Sequence, residues 1–333
     1  MKAFGFSSND TQAQLIDQPT PQANGRDLLI EIDAVSANPV DTKVKAGIRG
    51  NLAAAKIVGW DATGTVVGLG DQVALFKLGD KVFYAGDITR PGCYATHQLV
   101  DERIVGYAPK TLTSTEAAVM PLTSITAWES LFARLRISRE NDESKNILII
   151  GGAGGVGSIA IQLAKKVARL NVITTASRSE SEQWCYKMGA DHVINHHSEM
   201  ILQYRTLGLS DPDYILCLNN TDHHFTAMAE LIAPQGMICS IDGTQTKQNL
   251  DCLKSKSVGF VWEFMFTRSM FKTSDMIEQH HLLNTIAQLL DEGEITSTLT
   301  EVIGPLNIDN IELAHKQLLS GTTIGKLALT AIE

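Results

Sequence analysis

No apolar run in the 333 residues reaches the roughly 18 that a membrane-spanning helix needs, so membrane embedding is not expected. The chain opens MKAFGFSSNDTQAQLIDQPT, without the basic n-region, apolar core or cleavage site of a signal peptide, and a cytoplasmic location is the expectation. Blocks of like charge are missing too. A net charge of −9 without a basic patch argues against nucleic acid or an anionic membrane as main partner. The five cysteines (Cys93, Cys185, Cys217, Cys239 and Cys252) form no C-x-x-C pair. An odd, scattered set fits a reducing compartment and buried thiols, and only Cys93 falls near a candidate site. There is no internal repeat and no low-complexity linker. What remains, 44% hydrophobic and 20% charged, is the composition of a soluble globular enzyme long enough for two domains.

The most informative stretch is Asn146 to Leu163, NILIIGGAGGVGSIAIQL. The apolar run Ile147–Ile150 leads into Gly151, Gly152, Gly154, Gly155 and Gly157. Val156, Ile159, Ala160, Leu163, Ala164 and Val167 then recur at helical spacing. This is strand, glycine turn and helix, and Gly152, Gly154 and Gly157 satisfy G-x-G-x-x-G in the context that gives the pattern meaning. Glycine serves where the chain turns tightly, where backbone approaches a pyrophosphate, and where helix packs closely on strand. The helix N-terminus offers N–H groups to the phosphates. A dinucleotide cofactor is expected here, held by Gly151, Gly152, Gly154, Gly155, Val156 and Gly157.

The texture of the chain changes around this stretch. Residues 1–122 read as short β runs with glycine and proline punctuation: Leu28–Val35, Gly64–Val67, Gln72–Phe76, Lys81–Tyr84 and Tyr94–Val100. Thr113 and Glu116 have capping-box spacing. A compact, mostly β, barrel-like domain is expected there. Residues 123–269 alternate strand and helix. Strands are expected at Ile147–Ile150, Asn171–Thr175, His192–Ile194, Tyr214–Leu218, Met237–Ile241 and Val258–Phe264, and the clearest helices at Ser179–Met188 and Thr221–Ile232. Six strands with crossover helices make an α/β, doubly wound parallel sheet of Rossmann type. Its ligand-facing strand ends would be Gly151–Gly157, Ala176–Arg178, Leu218–Asn220 and Asp242–Gly243. The tail, with helices Asp275–Asp291 and Ile308–Leu319 and strands Leu299–Ile303 and Lys326–Ile332, is expected to return to the first domain, so that residues 270–333 complete it. The run GFVWEFMF (Gly259–Phe266) suits either a sheet edge paired across a dimer or a strand buried within one subunit.

An NAD site needs an acidic residue about twenty positions beyond the glycines. Here the second strand ends in Ala176, Ser177 and Arg178, with no carboxylate until Glu180. Ser177 and Arg178 favour a ribose 2′-phosphate, hence NADPH/NADP; the alternative for Arg178 is a solvated surface position.

The combination of NPVDTKVKAG (Asn38–Gly47), GGAGGVG, MGADHVIN (Met188–Asn195) and GKLAL (Gly325–Leu329) resembles the medium-chain dehydrogenase/reductase superfamily. Within it the likeness is to the quinone oxidoreductase (zeta-crystallin-like) branch, and most of all to "zinc-type alcohol dehydrogenase-like" proteins. It runs in order from about Leu28 to Leu329. The resemblance implies a GroES-like β-barrel catalytic domain, a Rossmann NADP-binding domain, and a homodimer or homotetramer. It sets Lys326 of GKLAL and Thr123 with the cofactor residues. Relatives often carry a lysine at the position of Ser181 and a tyrosine at that of His196, both able to touch the 2′-phosphate; His196 is expected to take the tyrosine's place. Substrate pockets of the family are lined by loops around Lys45–Lys56 and Trp262–Phe271.

The zinc in that label can be tested against the residues. Zinc-dependent relatives have cysteine where this chain has Asn38, glycine–histidine–glutamate at Gly59-Trp60-Asp61, and a further cysteine near Leu122–Ser124. None of these ligands is present, and catalytic zinc needs three. The structural lobe with four closely spaced cysteines is missing too: between Asp80 and Val100 there is only Cys93. The pairs His196-His197, His223-His224 and His280-His281 offer no replacement, since adjacent side chains on a helix or strand point apart. Without a Lewis acid, hydride from NADPH is better delivered to a quinone or an α,β-unsaturated carbonyl, whose delocalised charge needs only hydrogen-bond donors. Candidate catalytic groups are Tyr84, Asn38 and Asp41, with Thr123 orienting them or the nicotinamide. The alternatives are a capped turn for Asn38 and Asp41 and a core aromatic for Tyr84. A zinc alcohol dehydrogenase and a non-catalytic NADPH-binding sensor or structural protein stand as the other functional readings.

Overall fold

The computed structural model describes residues 1–7, 12–49 and 55–333; positions 50–54 of the expected substrate loop Lys45–Lys56 lie outside the described residues. The chain divides into two compact units, Met1–Ile125 with Phe266–Glu333, and Thr126–Met265.

The second unit is built on six parallel strands in the spatial order His192–Ile194, Asn171–Thr175, Asn146–Ile150, Tyr214–Cys217, Met237–Ser240 and Gly259–Trp262. All five residues of Asn146–Ile150 are buried, as expected of a central strand covered by helices on both faces. One layer is a cluster in which Leu148, Ile150, Ile215 and Cys217 meet Met200, Tyr204, Phe225 and Met228 of helices Met200–Thr206 and Thr221–Leu231. From the central strand the chain builds outward first on one side and then, from Tyr214, on the other. That reversal opens the crevice in which such sheets bind ligands. Among the described residues Gly259–Trp262 pairs with Met237–Ser240 alone and forms an edge, with Trp262 and Phe264 roughly half exposed. The reading of this run as a strand buried within one subunit is thereby corrected.

The first unit is antiparallel in the main. Asp27–Ala37 is its spine, pairing with Ala62–Leu69 along one side and with His97–Asp101 and Lys326–Thr330 along the other. Two register shifts against Ala62–Leu69 bend it, as bulges do where a sheet curls. Leu299–Pro305 joins in parallel beside Lys326–Thr330. The capping box is present: Glu116 accepts the Thr113 N–H at 2.8 Å and starts the helix Ser114–Ala118. Gln72–Phe76 is not a strand. Its Ala74 and Leu75 N–H groups go to the buried Glu102 carboxylate, at 2.8 and 2.7 Å, instead of to a ladder.

Candidate functional site

In the second unit Gly151, Gly152 and Gly157 of the turn each have their own physical reason. Gly151 sits at φ +93°, in the left-handed region, and donates its N–H to Thr175 Oγ1 at 3.0 Å. A Cβ on Gly152 would lie 2.0 Å from Thr174 Oγ1, whose hydroxyl is committed to the Ile149 carbonyl. A Cβ on Gly157 would lie 2.3 Å from the Gly151 carbonyl oxygen. Gly154 differs. It is the N-cap of the helix Gly155–Gln162, and the nearest atom to its would-be Cβ is 3.7 Å away. The fold does not need glycine there, and the space above it adjoins first-turn N–H groups that have no intrahelical acceptor.

The other candidates follow strands of the same parallel sheet and so lie at its carboxyl end. Ser177 is half-buried and Arg178 exposed. Arg178 is also the N-cap of Ser179–Met188. Its N–H donates to Ser181 Oγ at 3.1 Å, and that hydroxyl donates back to the Arg178 carbonyl at 2.8 Å. Ser181 is therefore occupied with starting the helix. His196 is half-buried, with its Nδ1 enclosed and without a partner. Leu218 continues the ladder through an N–H to Ile150. Asp242 accepts the Asn220 N–H at 3.0 Å, and Gly243 has open space around it. Sequence reasoning missed Thr174 and Thr175, because their part is to hold the glycine turn from the neighbouring strand.

Thr123 and Lys326 belong to the first unit. Thr123 is buried and its hydroxyl bonds back to the helix carbonyls of Met120 and Val119 at 3.2 and 3.3 Å. Lys326 is 4% exposed, and its three N–H donors are taken by Ala37 O at 2.9 Å, Asn38 Oδ1 at 2.6 Å and Asp61 Oδ2 at 3.3 Å. An ammonium with no donor left is a poor fit to the expected cofactor contact. The Asn38 amide is equally spent, on Ser36 O at 3.3 Å and Asp61 Oδ2 at 3.1 Å. This corrects the expectation that it donates to a substrate oxygen. Asp61 completes the set by accepting the Leu122 N–H on Oδ1.

Asp41 is buried beside this set. Its Oδ2 accepts the Asn38 N–H at 2.8 Å, the carboxylate half of a capped turn, and the Tyr94 hydroxyl at 3.0 Å. Its Oδ1 has no partner. The Tyr94 hydroxyl also lies 3.3 Å from His315 Nε2; with Asp41 ionised and taking the tyrosine hydrogen, that nitrogen is the donor. Burial pushes Asp41 up to about 7 against the Asn38 N–H and Lys326, and Asp61 up to about 6 against Lys326 and the Leu122 N–H. Tyr84 has 0% exposure and a hydroxyl with no partner; burial holds its ionisation well above the ordinary range. Cys93 is likewise buried and its thiol is pushed up, which removes the thiolate that a reactive role requires. Ser124, which sequence reasoning overlooked, also has a buried hydroxyl without a partner.

A carboxyl whose folded pKa is raised stabilises the fold in acid, and that contribution is lost as pH rises from the unfolded value near 3.8 through the folded one near 7. Asp41→Asn should remove this dependence. Between pH 5 and 7.5, urea unfolding of the wild type is expected to lose about 2 kcal/mol more than the variant does. Equal losses would mean that Asp41 is ionised throughout.

Residues 24–124 match the family model for the alcohol dehydrogenase GroES-like domain, and residues 188–329 that for zinc-binding dehydrogenase. A zinc-type alcohol dehydrogenase-like protein of Staphylococcus aureus (strain MSSA476) is 44% identical over 336 residues, 99% of each chain. Among solved structures, a Rhizobium etli CFN 42 protein described as a zinc-dependent alcohol dehydrogenase is 45% identical with a TM-score of 0.95, covering 100% of this chain and 98% of that one. The quinone oxidoreductase of Coxiella burnetii is 27% identical with a TM-score of 0.81, covering 99% of each chain.

Proposed function

The chain belongs to the medium-chain dehydrogenase/reductase superfamily, in its quinone oxidoreductase-like branch, and from that premise we propose that it is a zinc-independent, NADPH-dependent reductase of quinones or α,β-unsaturated carbonyl compounds. The observation that carries this reading is the Lys326 ammonium held by Asn38 and Asp61. These are two of the positions at which zinc-dependent relatives differ from this chain. A dication brought there would face a fixed positive charge, and an amide with both hydrogens engaged is not a zinc ligand. Among the described residues no group of three histidine, cysteine, aspartate or glutamate side chains is arranged to hold a metal ion. The residues present do not fit zinc, despite the relatives' names.

Bound NADPH would supply hydride, and a conjugated acceptor spreads the resulting charge until hydrogen bonds suffice to hold it. Tyr84 is the donor we assign. Its O–H stays protonated, is withdrawn from water and has no protein acceptor, an arrangement that costs about 1–3 kcal/mol unless a ligand oxygen supplies one. Asp41 is the second catalytic candidate, through its unpartnered Oδ1. Asn38 and Lys326 act through their neighbours as positioning residues, and Thr123 keeps its helix in place.

Gly151, Gly152, Gly154, Gly155, Val156 and Gly157 would cradle the pyrophosphate, with Leu218, Asp242 and Gly243 lining the crevice. Ser177, Arg178 and His196 would take the 2′-phosphate. Arg178→Ala is expected to reduce the preference for NADPH over NADH by about 10- to 150-fold, the range of one charge-assisted hydrogen bond. Fluorescence titration with both cofactors measures it, and an unchanged ratio would return Arg178 to the solvated surface. The edge strand Gly259–Trp262, apolar and half exposed, supports assembly as a homodimer or homotetramer.

NADPH oxidation against a panel of small quinones and enones, with metal analysis of the same preparation, tests the reaction. Tight NADPH binding without turnover of any acceptor favours the non-catalytic reading, and stoichiometric zinc overturns the zinc-independent one.

A further inference from the structure

The second unit gathers four imidazoles that the sequence separates into two pairs. His196 and His197 follow the strand His192–Ile194, and His223 and His224 stand in the first turn of Thr221–Leu231. Ring centroids lie 4.4 Å apart for His196–His197, 4.8 Å for His223–His224, and 6.3 Å for His196–His224, which joins the pairs. The register places the cluster. Thr175 pairs with Ile194, and the Ala176 N–H donates to the Ile194 carbonyl at 3.0 Å, so His196 follows the strand that neighbours the one running into Ser177 and Arg178. His196 Nδ1 is enclosed with nothing to bond.

We propose that this cluster is a proton-linked anion subsite: the imidazoles take up a proton as the ribose 2′-phosphate binds, so that affinity for 2′-phosphorylated nucleotides rises on acidification. The inference rests on the NADPH reading above and deepens it. His196 and His224 resist protonation in the free protein. Burial, then His197 and His223, hold His196 below the ordinary histidine value; burial, then His223, His196 and His197, bring His224 down to about 4. No carboxylate is among the groups acting on either ring. Asp222, on the same helix, is engaged by Gln245, Thr246 and Gln248. Two further charged side chains stand at this sheet end: Asp242, which accepts the Asn220 N–H at 3.0 Å, and Arg178. A phosphate dianion set among these rings reverses the balance and favours the imidazolium.

The sign of the pH dependence separates this from simpler recognition. A 2′-phosphate held by Arg178 alone binds equally well or more weakly toward pH 6, because the phosphate itself begins to protonate near there. Proton uptake by the cluster gives the opposite slope, up to about tenfold in affinity per pH unit for each proton taken up. The experiment is calorimetric titration of the full chain with 2′,5′-ADP and with 5′-AMP from pH 8 to pH 6, in buffers of differing ionisation enthalpy. The expected result is a roughly tenfold gain for 2′,5′-ADP across that interval, proton uptake approaching one, and no gain for 5′-AMP. In His196→Gln and His224→Gln the gain should vanish while binding of 5′-AMP persists, which shows that the variants are folded. A flat or falling affinity for 2′,5′-ADP overturns the proposal and leaves the NADPH reading standing. No discrimination between the two nucleotides at any pH overturns both.

Discussion

Gly154→Val is expected to fold like the wild type and to bind NADPH about 100-fold more weakly. Its Cβ would enter space that the fold leaves open, with no atom nearer than 3.7 Å, and its φ of −74° is one that any residue adopts. What the side chain would obstruct is the approach of a phosphate to the helix N-terminus. Losing one or two charge-assisted contacts there costs about 3 kcal/mol, or about 100-fold. Gly157→Val makes the contrast, because its Cβ would collide with the Gly151 carbonyl and damage the fold itself. Melting temperature and NADPH fluorescence, measured on both variants, separate the two cases. A Gly154→Val protein that binds NADPH normally would remove the pyrophosphate from this turn.

Lys326→Met should cost about 3–5 kcal/mol at pH 7.5, the usual consequence of removing one partner of a buried ion pair. Methionine fills much of the lysine's volume, so the loss would be electrostatic. Asp61, Ala37 and Asn38 each forfeit a hydrogen bond, and the Asp61 carboxylate is left buried without a cation. Protonating Asp61 relieves that, so the deficit should shrink by pH 5. Urea unfolding at the two pH values checks both parts. A loss below about 1 kcal/mol at pH 7.5 would show the ion pair to be dispensable.

The parts of the fold that were legible in the sequence are those with local causes. Asn171–Thr175 and His192–Ile194 have the boundaries read from their residues, because both are short runs bounded by turns and helix starts. The glycine turn was legible for the same reason, since strand, turn and helix are contiguous. Gln72–Phe76 has the alternation of a strand, but Glu102, a distant residue that no local pattern reveals, holds its N–H groups. Lys326 reaches Asn38 across 288 positions, which hid the saturation of the amide. The histidine pairs were set aside on the ground that neighbours point apart. That is a statement about one element, and the cluster forms between two.

The spine strand Asp27–Ala37 has a bearing on how the molecule is made. Its far side is closed near Ala34–Ala37 by Lys326–Thr330, so the first unit stays incomplete until nearly 300 further residues have left the ribosome. The second unit has all its strands once Met265 is out, so it can fold during synthesis before the first is complete. For that interval the Ala34–Ala37 end of the spine lacks this partner, and an unpaired strand edge is a template for pairing with another chain.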